Sequence, residues 1–260
     1  MSLRSLLDLP VEMGWRHVLF ANWPVDPAVV RAHLPESLTV DTHGGRAWLS
    51  VVPFTNVAVR PNGVPEWAGF RLPELNLRTY VSHEGERERS DGDAGPTDNG
   101  PAADRGVYFF SLDADGVLGV TGARVFHHLP YYFASMSMTG DGSRIAFESE
   151  RWHPGARPCD FDARYGPAGD RFRFEPGTLD EFLTERYRYY TETPGGELRY
   201  AQIRHRPWPL YEASVEFGEN EVFETNGFAT PESDPVFRYS PGVDVTASGS
   251  RRAEKPGSDR

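Results

Sequence analysis

The amino-acid sequence predicts a β-rich α+β fold: one domain built as a closed or nearly closed antiparallel β-barrel, with two or three short helices. Aromatic residues make up 13% of the 260 residues, and 26 glycines and 22 prolines interrupt the chain. This composition is typical of many short strands joined by tight turns. Roughly ten segments alternate as strands do, and closing that many strands into a barrel leaves no exposed sheet edge.

The N-terminal elements are a strand, a short helix and a hairpin. The first strand is predicted at residues 17–23. Asp26-Pro27 follows it as an N-cap and a proline at the first helical position, which predicts a helix ending near His33. Alternation then resumes around a turn at residues 42–45, as in a β-hairpin whose second arm is residues 46–59.

The most regular predicted strand, residues 74–83, precedes a strongly acidic stretch. Residues 84–104 contain seven acidic side chains and no large apolar one. Such a stretch cannot bury enough surface to become ordered, so it is predicted to be a flexible insertion loop between paired strands. Strand character resumes at Gly106 and ends in a turn at residues 113–116.

The second half of the chain continues the pattern of short strands around one further helix. In chain order, the predicted elements are a helix or turn ending near His127, a strand from Tyr131, a hairpin at 139–142, a strand at 170–176, a helix at 179–190 and strands at 199–206 and 211–217. Thr178 is the predicted N-cap of that helix, with Glu181 at the capping-box position. Periodicity is lost from about Gly242, so residues 1–245 are predicted to be the barrel domain and residues 246–260 a disordered tail.

Charge and composition exclude several classes of protein. The net charge of −11 is unfavourable for binding nucleic acid or anionic membranes. The chain has neither an apolar run long enough to cross a bilayer nor a secretory signal, so we expect a cytoplasmic protein. Its one cysteine, Cys159, can form neither an internal disulfide nor a cysteine-based zinc site. Arginine supplies every basic side chain except Lys255, which fits either adaptation to high salt or a GC-rich genome.

Motifs of several well-known chemistries are missing from the sequence. There is no dinucleotide or Walker phosphate loop, no GxSxG nucleophile elbow and no HExxH zinc motif. The neighbouring pair His127-His128 would point to different sides of a strand or helix, which disfavours a shared metal. No metal or cofactor is therefore predicted.

The most informative constellation lies on the predicted strand 74–83. One side of this strand carries a carboxylate, an amide, a guanidinium and a phenol, at Glu74, Asn76, Arg78 and Tyr80. The other side is largely apolar, with Leu75, Leu77 and Val81. Alternation leaves two orientations open: the polar side faces a barrel cavity, with Arg78 as an anion anchor, or it faces solvent. Further candidates to line the same cavity are Tyr108, Phe110, Arg124, Tyr131 and Tyr132.

Several blocks occur in the order found in a known family. They are His33-Leu34-Pro35, Gly45-Arg46-Ala47-Trp48 and the segments at 73–81, 106–115, 122–134 and 235–242. Through these blocks the chain resembles the YqjF-like family (domain of unknown function 2071) of the acetoacetate decarboxylase-like superfamily. The resemblance implies a β-barrel-like core with a central cavity, and residues 84–104 look like an insertion into it.

The resemblance does not extend to decarboxylase activity. Acetoacetate decarboxylases use a lysine that forms a Schiff base with a β-keto acid, in a segment of the form Gly-Arg-Glu…Gly-x-Pro-Lys-Lys. The similar segment here reads Gly122-Ala123-Arg124…Leu129-Pro130-Tyr131-Tyr132, with tyrosines at the lysine positions. Lys255, the only lysine, lies in the predicted tail, so Schiff-base decarboxylation is not expected.

The expected function is binding of a small carboxylate-bearing or keto-acid-like molecule in the cavity, with Arg78 and Arg124 receiving a carboxylate or enolate. One alternative is a lyase or isomerase in which Glu74 or Tyr131 moves a proton on a carbonyl acid without a Schiff base. Another is a non-catalytic interaction protein whose barrel is filled by side chains. Whether the protein is an enzyme, its ligand and its oligomeric state stay open at this point.

Overall fold

The fold is taken from a computed structural model that describes residues 10–83, 104–116 and 129–253. Several sequence predictions concern residues outside these ranges. They are nearly all of the acidic loop at 84–104, the segment that contains Arg124 and His127, and the chain end with Lys255.

The described residues form one extended sheet with short helices at its ends. The strands are β1 (Val11–Val25), β2 (Thr39–Val40), β3 (Ala47–Pro61), β4 (Phe70–Ser82), β5 (Arg105–Ala114), β6 (Tyr131–Gly140), β7 (Ile145–Arg151), β8 (Asp160–Phe172), β9 (Arg188–Glu192), β10 (Leu198–His205), β11 (Leu210–Asn220), β12 (Val236–Ala247) and β13 (Arg251–Arg252). The helices are α1 (Pro27–Arg31), α2 (Leu179–Thr184) and α3 (Val222–Thr225), and a 3₁₀ turn spans Glu66–Ala68. The predicted β-rich class with short helices is therefore confirmed.

The sheet closes on itself in two places. Nine strands, in the order β5-β6-β7-β8-β11-β12-β1-β3-β4, return to β5 and form a roughly closed ring, here called the large ring. Strands β9 and β10 connect β5 to β12 and close a second ring, the small ring, which shares β12, β1, β3, β4 and β5 with the first. Among the described strands, β5 pairs with β6 and β9 in parallel, and the other pairings are antiparallel, as in the predicted antiparallel barrel.

The shared strands are buried on both faces. On β4, Leu75 and Leu77 pack into an apolar core that also contains residues of β7 and β8, inside the large ring. Tyr80 of the same strand belongs to a second core, inside the small ring, with residues of β9, β10 and α2. Along residues 74–81 both sides of β4 are buried or partly buried, so the polar side does not face solvent as one of the two predicted orientations required.

Local signals predicted several elements correctly. The Asp26 side chain accepts a hydrogen bond of 2.8 Å from the backbone N–H of Ala28 and caps α1, which begins at Pro27. Strands β6 and β7 form the predicted antiparallel hairpin. The predicted strands at 199–206 and 211–217 correspond to β10 and β11.

Pairing between distant segments changes other elements. The strand β2 pairs with β4 instead of β3, so the turn at residues 42–45 does not join the two arms of a hairpin. Helix α2 ends at Thr184, well before the predicted residue 190, because Arg188–Glu192 form β9 between β5 and β10. Strand β8 begins at Asp160, directly after Cys159. The predicted strand at 170–176 is only the end of β8, which stops at Phe172.

The C-terminal segment is more ordered than predicted. Strand β12 continues to Ala247 and pairs with both β1 and β10, and β13 pairs with β10. The apolar residues Val243, Val245 and Ala247 alternate into the small-ring core. A disordered tail from residue 246 is therefore wrong as far as residue 253. Across the described ranges, no helix combines the length and hydropathy that a bilayer crossing requires.

Candidate functional site

The polar row of β4 faces the interior of the small ring. Glu74 lies opposite Phe54 of β3, and Arg78 lies opposite Ser50. Glu74 and Asn76 are only 5% and 3% exposed, whereas Arg78 between buried neighbours keeps partial exposure. Glu74, Asn76, Arg78 and Tyr80 therefore form a row of polar side chains along one wall of a largely apolar interior.

Glu74 is held by three hydrogen-bond donors that favour one of its oxygens. The Tyr131 hydroxyl donates to Oε2 at 2.7 Å and Asn56 Nδ2 donates to the same oxygen at 3.1 Å. Asn76 Nδ2 reaches Oε1 only at 3.5 Å. Burial raises the pKa of Glu74 to about 7, although these donors and Arg78 oppose the rise. Both protonation states are thus populated near neutral pH, and Oε1 is the oxygen better placed to carry the proton.

Tyr131 reaches Glu74 through the parallel pairing of β6 with β5. Its partner in register is Leu112, and Leu112 lies opposite Asn76 of β4. Burial, and then the nearby Glu74, raise the pKa of Tyr131 well above its ordinary value. The phenol therefore stays protonated and acts as a hydrogen-bond donor to the carboxylate.

Arg78 and Asn76 each keep an unpaired polar atom. Within the described residues, neither Arg78 Nε nor Asn76 Oδ1 has a hydrogen-bond partner. The Arg78 guanidinium lies over the Phe20 ring at 5.5 Å, and its Nη2 makes only a long contact of 3.5 Å with the Leu183 carbonyl. An unpaired donor and an unpaired acceptor thus lie two residues apart on the same wall.

Tyr80 belongs to the row, but protein groups already occupy its hydroxyl. The hydroxyl donates to the Leu183 carbonyl at 2.8 Å and lies 2.8 Å from Ser50 Oγ and 3.1 Å from Asn22 Oδ1. Tyr80 is fully buried. Its role in this geometry is to fasten the end of α2 to β4.

Three of the other predicted lining residues face the opposite way. A register shift between β4 and β5, next to Arg78, places both Tyr108 and Phe110 against the large-ring core. Tyr132 follows Tyr131 on a strand and therefore points to the other face, where its ring covers the Arg151 guanidinium at 4.3 Å. The structure does not bring these three side chains to Glu74, and Arg124 lies outside the described residues.

Tyr132 instead covers a buried ion pair. Arg151 binds Asp113 through two hydrogen bonds of 2.8 and 3.0 Å, and both side chains are almost fully buried. Asp113 was predicted to begin a turn, but β5 continues through it to Ala114. This pair lies on the opposite side of β5 from the polar row.

Sequence reasoning missed the residues that other strands contribute to the small ring. Asn56 contacts Glu74 because β3 and β4 pair in register, and that register is not readable from either strand alone. The aromatic neighbours of the row come from β1, β3 and the segment before β11: Trp15, Phe20, Phe54 and Trp208. Tryptophans in a β-rich chain are ordinarily core residues, and only their position relative to Arg78 distinguishes these.

Two depressions on the surface lie elsewhere. One, of about 630 Å³, is lined by residues that include Arg157 and Glu221, and the other, of about 510 Å³, lies beside α1. Neither contains a residue of the polar row. In residues 10–83, 104–116 and 129–253, no three His, Cys, Asp or Glu side chains come together as metal ligands do.

The chain is similar in sequence to proteins of one family. Residues 12–244 match the family of domain of unknown function 2071, described as an uncharacterized conserved protein. The chain is also 42% identical over 236 residues to the uncharacterized protein YqjF of Bacillus subtilis (strain 168). The aligned region covers 90% of this chain and 89% of YqjF.

The fold is similar to that of solved enzyme structures. The enduracididine biosynthesis enzyme MppR complexed with pyruvate has a TM-score of 0.64 and 14% identity, covering 95% of this chain and 91% of that one. Acetoacetate decarboxylase from Legionella pneumophila has a TM-score of 0.59 and 13% identity, covering 95% and 88%. At these identities the likeness establishes the fold alone. The chain therefore belongs to the YqjF-like family (domain of unknown function 2071) and has the acetoacetate decarboxylase-like fold.

Proposed function

We propose that this protein binds a small carboxylate-bearing molecule of the keto-acid type inside the small ring. In this proposal Arg78 receives the carboxylate, and Glu74 with Tyr131 meets the carbonyl end. The observation that carries it is the unpaired pair of atoms, Arg78 Nε and Asn76 Oδ1, beside a buried carboxyl group.

The charge of Arg78 supports an anionic ligand. No carboxylate of the described residues forms a salt bridge with Arg78, although it lies inside the ring. A guanidinium without a counter-charge in a poorly hydrated interior is unfavourable, and a bound carboxylate would relieve this with paired, charge-assisted hydrogen bonds. The similar fold of MppR, which is complexed with pyruvate, a 2-oxo acid, agrees with this class of ligand.

The proposed chemistry does not include a Schiff base. Tyr131 and Tyr132 stand where acetoacetate decarboxylases have their lysine pair, and a phenol cannot condense with a carbonyl group to form an imine. Lys255 is the only lysine in the chain. Binding, or chemistry that needs only proton transfer, remains compatible with these residues.

A second candidate function is proton transfer on the bound carbonyl acid, and the near-neutral pKa of Glu74 favours it. Ionised Glu74 would take a proton from the carbon next to the carbonyl group. The C–H bond breaks, an O–H bond forms at Oε1, and the electron pair moves to the carbonyl oxygen to give an enolate. Return of the proton to the same carbon exchanges it with solvent, and return to another carbon isomerises the molecule.

The binding proposal is tested by calorimetry with pyruvate, acetoacetate and longer oxo acids, each compared with its uncharged amide. We expect the acids to bind and the amides to bind at least about tenfold more weakly. Arg78→Met should abolish the preference for the acids, whereas Arg204→Met, which removes an exposed arginine of β10, should keep it. Equal affinity of acids and amides, or unchanged binding by Arg78→Met, would overturn the proposal.

The proton-transfer candidate is tested by NMR of the bound acids in heavy water. Deuterium should enter the carbon next to the carbonyl group in the presence of the wild-type protein and of Glu150→Gln, which alters an exposed carboxylate of β7. Glu74→Gln should lose the exchange, because an amide cannot accept the proton. Exchange at the wild-type rate in Glu74→Gln would rule out Glu74 as the base. If the wild-type protein binds the oxo acids tightly but does not exchange their protons for deuterium, the proton-transfer candidate is wrong and the binding proposal stands.

A further inference from the structure

We infer that the ligand of this site has a flat aromatic body between its carboxylate and its carbonyl group. It would thus be an aryl carbonyl acid and not a short oxo acid such as pyruvate. This inference rests on the proposed function and names its substrate class. It is carried by an aromatic floor, defined here as Phe54, Trp15, Trp208 and Phe20, which runs along the small ring beside the polar row.

The aromatic floor is continuous from one end of the polar row to the other. Trp15 meets Phe54 edge-on at 5.8 Å and stacks on Trp208 at 5.9 Å with only 7° between the ring planes. Trp208 in turn meets the Phe20 ring at 5.1 Å. Phe54 is paired with Glu74, and Phe20 lies under the Arg78 guanidinium at 5.5 Å. The floor therefore spans the distance between the proton-transfer group and the anion anchor.

The two ends of the polar row are well separated along β4. Glu74 and Arg78 are four residues apart on one strand, which separates their Cα atoms by about 13 Å. The Arg78 guanidinium leans further toward Tyr80, since both side chains contact the Leu183 carbonyl. In pyruvate the carboxylate and carbonyl carbons are directly bonded. A ligand with a body between these two groups matches the length of the row better.

Several groups along this floor are available to a ligand. Trp15 and Arg78 keep partial exposure, as does His205, whose ring lies 6.1 Å from Trp15 and 5.1 Å from Trp208. Trp208 Nε1 is buried and has no hydrogen-bond partner in the described part of the chain, so the floor itself carries an unpaired donor. Burial lowers the pKa of His205, and Arg78 adds to this effect, so the imidazole is neutral at pH 7. A neutral, aromatic surface with donors at one end suits a flat body that ends in a carboxylate.

The test compares three probes of graded shape by calorimetry: 4-acetylbenzoate, 6-oxoheptanoate and pyruvate. The first has a benzene ring between carboxylate and ketone, the second has a flexible chain of similar span, and the third has neither. We expect 4-acetylbenzoate to bind at least about tenfold more tightly than pyruvate, and more tightly than 6-oxoheptanoate. Its binding should also quench tryptophan fluorescence.

Variants assign the preference to the floor. Trp15→Leu should remove most of the preference for 4-acetylbenzoate over 6-oxoheptanoate, and Trp15→Phe should keep part of it. Trp152→Leu, which alters an exposed tryptophan outside the floor, should behave as the wild type in both binding and quenching. If Trp15→Leu fails to fold, the comparison of probes on the wild-type protein still decides the question.

Failure of this inference differs from failure of the proposed function. If pyruvate binds as tightly as 4-acetylbenzoate and its binding depends on Arg78, the aryl substrate class is wrong and the proposed function stands. If the two longer acids bind equally tightly, aromaticity is not recognised and the inference is also wrong. If no carboxylate binds in an Arg78-dependent way, the proposed function fails and this inference fails with it.

Discussion

Replacing Glu74 by glutamine should change how the stability of the protein depends on pH. Burial raises the pKa of Glu74 from 4.5 to about 7 in the folded state, while the unfolded chain keeps the ordinary value. Below pH 4.5 the carboxyl group is neutral in both states. As the pH rises through 7, the unfolded state ionises more readily and the folded state loses stability. Glutamine cannot ionise, so the variant lacks this loss.

The expected size follows from the difference between the two pKa values. One pKa unit corresponds to about 1.4 kcal/mol, so the full effect is about 3 kcal/mol, most of it between pH 5 and pH 8. Glu74→Gln should therefore gain more than about 2 kcal/mol relative to the wild type across that range. Asp113, whose pKa is raised by burial to about 6, titrates in both proteins and cancels in the comparison.

The assay is urea unfolding at 25 °C and at pH 5, 6, 7 and 8 for the wild type, Glu74→Gln and Glu150→Gln. The exposed Glu150 serves as the control for the loss of a carboxylate that is not buried. A constant offset between Glu74→Gln and the wild type would refute a buried carboxyl with a raised pKa. So would an offset that becomes less favourable to the variant as the pH rises.

Three further predictions concern groups outside the proposed chemistry. Asp113→Asn leaves the buried Arg151 without its carboxylate and should lower the free energy of unfolding in urea by about 3–5 kcal/mol. The double variant Asp113→Leu with Arg151→Met should restore most of this loss. A loss below about 1 kcal/mol in Asp113→Asn would contradict the prediction. Tyr80→Phe removes a buried hydroxyl from the Leu183 carbonyl and should lower the same free energy by about 1–3 kcal/mol, whereas an unchanged urea midpoint would show that the contact is dispensable. Cys159 is fully buried and burial raises its pKa to about 11, so a thiol reagent at pH 8 should modify it only after unfolding; rapid stoichiometric modification of the folded protein would contradict this.

Elements with strong local signals could be predicted from the sequence. Asp26-Pro27 begins a helix because the cap and the proline act within one turn, and the hairpin at 139–142 forms because its two arms are neighbours in the chain. Residues 188–190 were predicted as the last part of the helix that begins at Leu179, but this helix ends at Thr184 and β9 begins at Arg188. β9 forms because β5 and β10 lie on either side of it. The local sequence pattern does not show which strands will pair with these residues, so it could not predict the strand.

Only the part of the candidate site that lies on the single strand β4 could be predicted from the sequence. Glu74, Asn76 and Arg78 share a face because side chains alternate along β4, and this needs no knowledge of other strands. Tyr108 and Phe110 were named as further candidates to line the same cavity, but a single register shift in β5 places them on the opposite face. Asn56 joins the site through strand pairing alone, which a single sequence does not reveal.

The position of Arg78 gives the strongest reason to look for a ligand. In a sheet with one solvent-exposed face, an arginine on that face is ordinary. β4, however, lies between two apolar cores, so the face that carries Arg78 points into the protein. Glu74 and Tyr80 on the same face each have three polar partners, whereas Arg78 has an unpaired Nε and one long contact. If Arg78 served only the fold, Arg78→Met should destabilise the ligand-free protein. If it is kept for an anion, the same variant should lose carboxylate binding and stay within about 1 kcal/mol of the wild type in urea unfolding, or exceed it.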